Sequence, residues 1–309
     1  MTLKTTFETL AKGQDVKVEL LTESTQAQLL EYGLVPVNGV FSTDNFELLN
    51  ATAIRSQLRN HTDRWLRWLK IMPCTQSTNT DLLNVAQRRA IDGTAITAEV
   101  QTQGRGRRGR SWVSPFGQNV ALSVGVKVDR PAAEIGALSL AIGLGVAVQL
   151  EQLGLKEVGL KWPNDVLIGT RKVGGILLEL ATTSQPTLIV VGIGLNVNAA
   201  PGIDVTGDYQ ATSLVDHMQT VSRNEIVTCL LEAIHETAQE FERAGFESFR
   251  SEWQVRDYLF QRDVELLVGG DRLGGVGAGV DEDGAYLIQT PTDLHRAIGG
   301  NLSLRVAAD

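Results

Sequence analysis

The sequence predicts an α+β protein: a central mixed sheet with helices on one face, a small β-barrel after it and a small helix-and-hairpin module before it. From about residue 65 strand-like and helix-like segments alternate, which builds a sheet with helices packed against it. Residues 222–244 carry Ile226, Leu230, Leu231, Ile234, Ala238 and Phe241 mostly three or four apart, the stripe of a long amphipathic helix. After Trp253 the texture changes to short strands broken by Gly269-Gly270-Asp271 and Asp281-Glu282-Asp283-Gly284.

Each element follows in order. Residues 24–32 have helical spacing, and Val35-Pro36-Val37-Asn38-Gly39-Val40-Phe41 followed by 46–49 predicts a hairpin turning at Asn38-Gly39. A strand over 65–72 opens the larger domain, and 79–91 is a helix that Ser77 or Thr78 can cap. Residues 95–101 and 120–128 alternate apolar and polar side chains, as half-buried strands do, and Pro131 opens a helix running to about residue 152. Residues 159–162, 175–180 and 188–191 are further strands, and 264–268, 276–280 and 285–288 form the barrel. There is no internal repeat and no low-complexity segment.

With 309 residues and 43% hydrophobic content, the chain buries a sizeable core in two or three domains. A net charge of -8 and a pI of about 5.2 exclude global attraction to nucleic acid or anionic membranes, so any phosphate binding is local. Cys74 and Cys229 are the only cysteines and lack metal-like spacing, which suits thiols in a reducing cytoplasm. No apolar run reaches the ~20 residues a bilayer requires; residues 135–150, broken by Gly136, Gly143 and Gly145, read as a buried helix.

Residues 104–110, Gly-Arg-Gly-Arg-Arg-Gly-Arg, place four guanidinium groups and three glycines directly after a strand. Such a loop is mobile until an anion arrives, because guanidinium forks match carboxylate and phosphate oxygens while glycine lets backbone amides approach. A solvated basic loop or a nucleic-acid contact has the same composition. The flank Ser111-Trp112-Val113-Ser114-Pro115-Phe116-Gly117-Gln118-Asn119 instead brings an aromatic wall and tight turns. Lys161-Trp162-Pro163-Asn164-Asp165 ends a strand, with Pro163 and Asn164 terminating it and presenting Asp165, and Arg171-Lys172 stands at the entrance of the next. Taken singly, Asn-Asp is a common turn, Arg-Lys before a strand is a solvated pair, and Gly192-Ile193-Gly194-Leu195-Asn196 is a strand-to-loop turn.

Together these segments resemble the bacterial biotin-protein ligases. Residues 103–112 with Ser114-Pro115-Phe116-Gly117 look like that family's biotin-binding loop, which folds over biotinyl-5'-adenylate. The segment 161–165 and Arg171-Lys172-Val173-Gly174-Gly175-Ile176-Leu177-Leu178-Glu179 look like two that face each other across its active site. Gln76-Ser77-Thr78-Asn79 is similar to a D-S-T-N element that bonds the ureido ring, with Gln76 replacing the usual aspartate, and residues 299–305 look like the closing strand. The resemblance runs from about residue 48 to the C-terminus.

It implies a winged-helix-like or divergent module (1–62), a catalytic domain like class II aminoacyl-tRNA synthetases and biotin–lipoate ligases (63–256), and an SH3-like barrel (257–309). It implies ATP, Mg²⁺ and biotin, without naming metal ligands. The biotin residues it implies are Ser77, Thr78, Asn79, Gln101, Gly104, Arg105, Arg107, Trp112, Lys172, Gly175, Leu177, Gly192 and Gly194. Those for ATP are Arg107, Arg110, Trp112, Asn164, Lys172, Asn196 and Arg305, and Lys172, Asp165 and Arg107 carry the chemistry. The acceptor is the biotin carboxyl carrier protein of acetyl-CoA carboxylase, and relatives form homodimers by extending a sheet edge. Some also repress genes through an N-terminal winged helix. Here the first sixty residues hold five basic and seven acidic side chains, with no basic residue between Leu20 and Ala53, which disfavours DNA. A lipoate-protein ligase and a biotin sensor without catalysis are the competing readings.

Overall fold

The computed structural model describes residues 1–182, 184–200, 210–219, 221–268, 271–298 and 303–306. Helices α1 (Leu3–Leu10) and α2 (Glu23–Glu31) each start at a threonine, Thr2 and Thr22, whose hydroxyl accepts a backbone N–H three residues on. β1 (Val16–Lys17) pairs with β2 (Val40–Phe41). Asn38 and Gly39 turn the chain as expected, with φ of 53° and 77°, between the paired Val37 and Val40, and the strand after them pairs also with β1, while 46–49 forms no strand. The reason is tertiary. Glu47 is held by Ser222, the Arg223 N–H and Asn224, and the Leu49 N–H by Glu99, while Phe41 joins Phe7, Leu10, Val16, Leu29 and Leu34 in a small core. Val100 and Phe116 of the larger part complete that core, with Phe116 stacked on Phe7 at 5.3 Å.

After α3 (Ala51–Gln57) and α4 (Asn60–Trp65) come β3 (Trp68–Met72), α5 (Thr78–Ala86), β4 (Thr94–Ala98), the short pair β5 (Gly104–Arg105) and β6 (Ser111–Trp112), and β7 (Val120–Val128). Then follow α6 (Leu138–Gln152), β8 (Val158–Lys161), β9 (Asp165–Ile168), β10 (Arg171–Leu180), β11 (Thr187–Leu195), α7 (Arg223–Ala244) and α8 (Glu247–Val255). The seven-stranded sheet has the order β3-β4-β7-β11-β10-β9-β8, and only β3 and β4 run parallel. It is mixed, as expected.

The expected helices on one face are α6 and α7, over Leu122, Val124, Val191 and Ile193. The short α5 covers part of the other face, where Leu82 meets Ile96 and Val190. Covering both faces is why β4 is wholly buried and β7 exposes only Lys127, instead of being half-buried. Pro131 opens a turn closed by the Glu134 N–H, and α6 proper starts only at Leu138. Helix 135–152 is apolar enough to cross a bilayer by composition, yet 72% of it is buried inside the protein. Gly145 lets α6 and α7 approach: a Cβ there would lie 2.4 Å from the Thr237 hydroxyl.

β12 (Asp263–Val268), β13 (Asp271–Val280), β14 (Tyr286–Gln289), β15 (Leu294–Ala297) and β16 (Ser303–Val306) form a five-stranded antiparallel sheet in the order β15-β14-β13-β12-β16. Two bonds fasten it to the larger part: the buried Trp162 indole N–H donates to Gly284 O at 3.1 Å, and the Tyr286 hydroxyl donates to Asp257 at 2.8 Å.

Burial pushes the Asp257 carboxyl up to about 6 from an ordinary 3.8, against the lowering effect of the Leu259 N–H and Tyr286. A raised acid favours the fold when protonated, so its contribution is full below pH ~4, is lost as pH rises through ~6, and is flat above that. Asp257→Asn is expected to flatten this part of the melting-temperature profile between pH 4 and 7. A second prediction concerns the shared aromatic core: Phe116→Ala should cost ~3–5 kcal/mol in denaturant unfolding and make residues 1–49 more susceptible to limited proteolysis.

Candidate functional site

Four segments converge on the sheet face that α5 leaves uncovered. The first is the N-terminus of α5. Ser77 is its N-cap, and the Thr78 N–H and hydroxyl both donate to the side-chain Oε1 of Gln101, at 2.9 and 3.1 Å. Ser77, Thr78, Asn79 and Gln101 are all buried, so the dual role of cap and site wall is available to Ser77. Ser123, from the middle of β7, places its hydroxyl 2.7 Å from that of Thr78 and 2.5 Å from Asn79 Oδ1.

The second segment is β11. Gly192 and Gly194 lie on the site face, and neither tolerates a side chain. A Cβ at Gly192 would sit 2.2 Å from Asn79 Oδ1, and one at Gly194 2.5 Å from the Trp112 indole. The Asn79 carboxamide and the Trp112 indole thus lie directly over the two glycines. Asn196 is buried, and its carboxamide donates to Thr212 O at 3.1 Å. Asn119 supports the same stretch, its Oδ1 accepting the Val197 and Ala199 N–H groups at 2.9 and 3.3 Å.

The third segment is the β8–β10 hairpin pair. Pro163 and Asn164 lie past the end of β8, as expected, and turn it into β9, so Asp165 opens the next strand, opposite Lys161 and Gly175. The pairing of β9 with β10 shifts register between Lys172 and Gly174. An extra residue there reverses the alternation of side chains. Val173 therefore enters the core beneath the sheet, while the Lys172 ammonium reaches Asp165 Oδ1 at 2.7 Å, with both side chains largely shielded. A Cβ on Gly175 would be 3.5 Å from Lys172 Nζ, so Lys172 crosses directly over that glycine. Asn164 fixes the turn, its amide donating to Ile176 O at 2.9 Å.

The fourth segment is the arginine-glycine loop. It forms a ribbon: Gly104 pairs with Trp112 and Arg105 with Ser111, and Arg108 takes a φ of 60° at the tip. Arg105 does not face Lys172; its guanidinium bonds both oxygens of Glu179, at 2.8 and 2.6 Å. Arg107 is the loop arginine that faces the reaction centre. Burial lowers its guanidinium below the ordinary value, and the charge of Asp165 opposes this. Arg110 is exposed, and the Trp112 indole N–H is buried with no hydrogen-bond partner among the described residues. The Arg305 backbone pairs with Glu265 in the C-terminal sheet, and its side chain lies outside the described residues, as do residues 299–302 of the expected closing strand.

Beside Arg107, Asn164 and Leu177 a cleft of about 810 Å³ opens toward Leu180 and Arg296. The expected thiols are free in the structure: Cys74 and Cys229 are unpaired, and burial pushes both up to about 11. His61, Glu232 and Glu236 cluster within metal-binding reach far along α7, but Glu232 is engaged there by the Arg59 N–H and the Thr62 hydroxyl at the start of α4. Ser123, Asn119 and Glu179 were not expected. A serine amid apolar neighbours in a buried strand and a glutamate at the end of one were the available signals.

Residues 71–196 match the Biotin/lipoate A/B protein ligase family. The chain is 34% identical over 276 residues to the Bifunctional ligase/repressor BirA of Escherichia coli (strain K12), covering 88% of this chain and 83% of that protein. It is 38% identical over 243 residues to a Biotin--[acetyl-CoA-carboxylase] ligase of Mycobacterium tuberculosis, covering 76% of this chain and 88% of that one. Among solved structures, the biotin protein ligase from Aquifex aeolicus in complex with biotin and ATP is similar at a TM-score of 0.67 and 32% identity, covering 78% of this chain and all of that one. With these relatives spanning the sheet, the loop and the Lys172–Asp165 centre, the chain belongs to the biotin protein ligase family.

Proposed function

We propose that this chain, an ATP-dependent biotin protein ligase, runs both of its half-reactions at the Lys172–Asp165 centre. The observation that carries this is the 2.7 Å ion pair on the sheet face beneath a loop arginine. In the first half-reaction a biotin carboxylate oxygen attacks the α-phosphate of ATP and the bond to pyrophosphate breaks. Both partners are anionic, so the requirement is positive charge placed in advance. Lys172 and Arg107 supply it at the reacting atoms, and Arg110 supplies it from the loop's outer side. Gly104, Gly175, Leu177, Gly192 and Gly194 form the floor under biotin, with Ser77, Thr78, Asn79 and Gln101 as its polar wall. Asn164, Trp112, Asn196 and Arg305 serve the nucleotide. Asp165 is the carboxylate that would hold Mg²⁺ beside the triphosphate, where the ion would offset charge.

In the second half-reaction a neutral acceptor lysine attacks the mixed anhydride, forming the amide and releasing AMP. Asp165, freed from Lys172 as the phosphate draws that ammonium away, orients the amine and takes its proton. The acceptor is the biotin carboxyl carrier protein of acetyl-CoA carboxylase, and the cleft beside Arg107 and Asn164 is its approach. The second half of β10 has β11 on one side and no strand on the other among the described residues, the kind of edge that homodimers extend.

We read the domains as 1–62, 63–256 and 257–309, the last as an SH3-like barrel and the first as a reduced winged helix, in a cytoplasmic protein. The exposed side chains of α2 include Glu23, Ser24, Gln28, Leu30 and Glu31 and no cation, which supports a ligase that does not bind DNA.

Mixing the protein with biotin, Mg²⁺ and labelled ATP, without acceptor, should yield tightly held biotinyl-adenylate and pyrophosphate, and lipoate should yield neither. Lys172→Ala should lower the pyrophosphate burst by at least ~100-fold. Arg107→Ala should form adenylate but leak it, seen as faster loss in a single-turnover chase; unchanged retention would contradict the assignment.

A further inference from the structure

We propose that Glu179 is a positioning residue that holds the arginine-glycine ribbon shut over the reaction centre by pairing with Arg105. The proposal rests on the ligase reading and adds to it a residue that neither the motifs nor the relatives' names assign.

Two of the ribbon's contacts with the sheet lie at opposite ends of the site floor. At one, the Trp112 indole lies on Gly194, where a Cβ would meet it at 2.5 Å. At the other, Arg105 bonds both carboxylate oxygens of Glu179, and the same carboxylate accepts the Asn79 amide at 2.8 Å. Gly175 is opposite Gly194 and Glu179 opposite Val190, so the two contacts sit four residues apart along the strand, ~13 Å. Between them lie Leu177 and Gly192, the proposed floor under biotin. The ribbon is thus fastened on either side of the substrate floor.

The two fastenings differ in kind. Trp112 on Gly194 is an apolar contact, indifferent to salt. The Arg105 and Glu179 side chains are 44% and 24% exposed, so their attraction is modest and screened by salt. A weak, ionic clasp suits a cover that must stay closed while the adenylate waits and open in every turnover to admit the acceptor. Because Glu179 also holds Asn79, closing the ribbon and ordering the α5 wall are one event.

The test compares wild-type protein and Glu179→Gln, preloaded with biotin and labelled ATP, for the rate of adenylate loss after dilution, at low ionic strength and at about 0.5 M salt. Glutamine keeps one carbonyl oxygen for Asn79 and removes the charge and one of the two acceptor oxygens that Arg105 meets. The variant is expected to release adenylate ~3–5-fold faster at low salt, with its pyrophosphate burst within about twofold of wild type. Salt should speed release from wild type more than from the variant, because only wild type has the Arg105–Glu179 ion pair to lose, a response that a merely structural role would not produce. Glu179→Asp, with the charge one methylene back, should fall between them. Equal retention in wild type and Glu179→Gln, or an equal salt response, overturns the clasp alone; absence of adenylate in wild type overturns the ligase reading and the clasp with it.

Discussion

The structure hangs on one buried ion pair. Arg223 and Glu99, with side chains 0% and 2% exposed, meet at 2.7 Å where α7, the end of β4, the N-terminal joint and the segment before β7 come together. Arg223 also donates to the carbonyls of Glu47 and Asn119, and Glu99 accepts the Leu49 N–H. Charges this deep are costly to desolvate, and removing one partner strands the other, at about 3–5 kcal/mol. What the pair secures is geometry. Through Asn119 it holds the chain beyond β11, where Asn196 lies, and through Glu47 and Leu49 it fixes the small N-terminal module against the base of the arginine-glycine ribbon.

Much of the site was legible because its chemistry is written in runs. Four arginines among three glycines point to an anion wherever they fold, and Lys172 and Asp165 sit in segments whose composition suits a strand end. Long elements were equally readable: β7 coincides with the alternating stretch 120–128, and α7 with the apolar spacing after Ser222.

Illegible were the features that depend on distant partners. Nothing local says that Val173 is a bulge residue, yet without the shift Lys172 would point into the core. Nothing local says that Ser123 faces Thr78, 45 positions away, or that Glu179 meets Arg105, 74 positions away. The pairing of the N-terminal hairpin with β1 was illegible for the same reason. Its turn is encoded in Asn38-Gly39, but its partner strand was decided by the packing of Phe41 beside Val16 and by the capture of Glu47 on α7.

Trp162 gives the hairpin turn a second allegiance. Its indole is bonded to Gly284 of the C-terminal sheet, while Asn164, two residues on, and Asp165, three on, stand in the proposed reaction centre. The turn is therefore a rigid spoke with its hub among the substrates and its rim in another sheet. On the proposed mechanism, a load that tilts the rim reaches the Asp165 carboxylate, so grip on the C-terminal sheet and alignment of the acceptor amine become one mechanical variable.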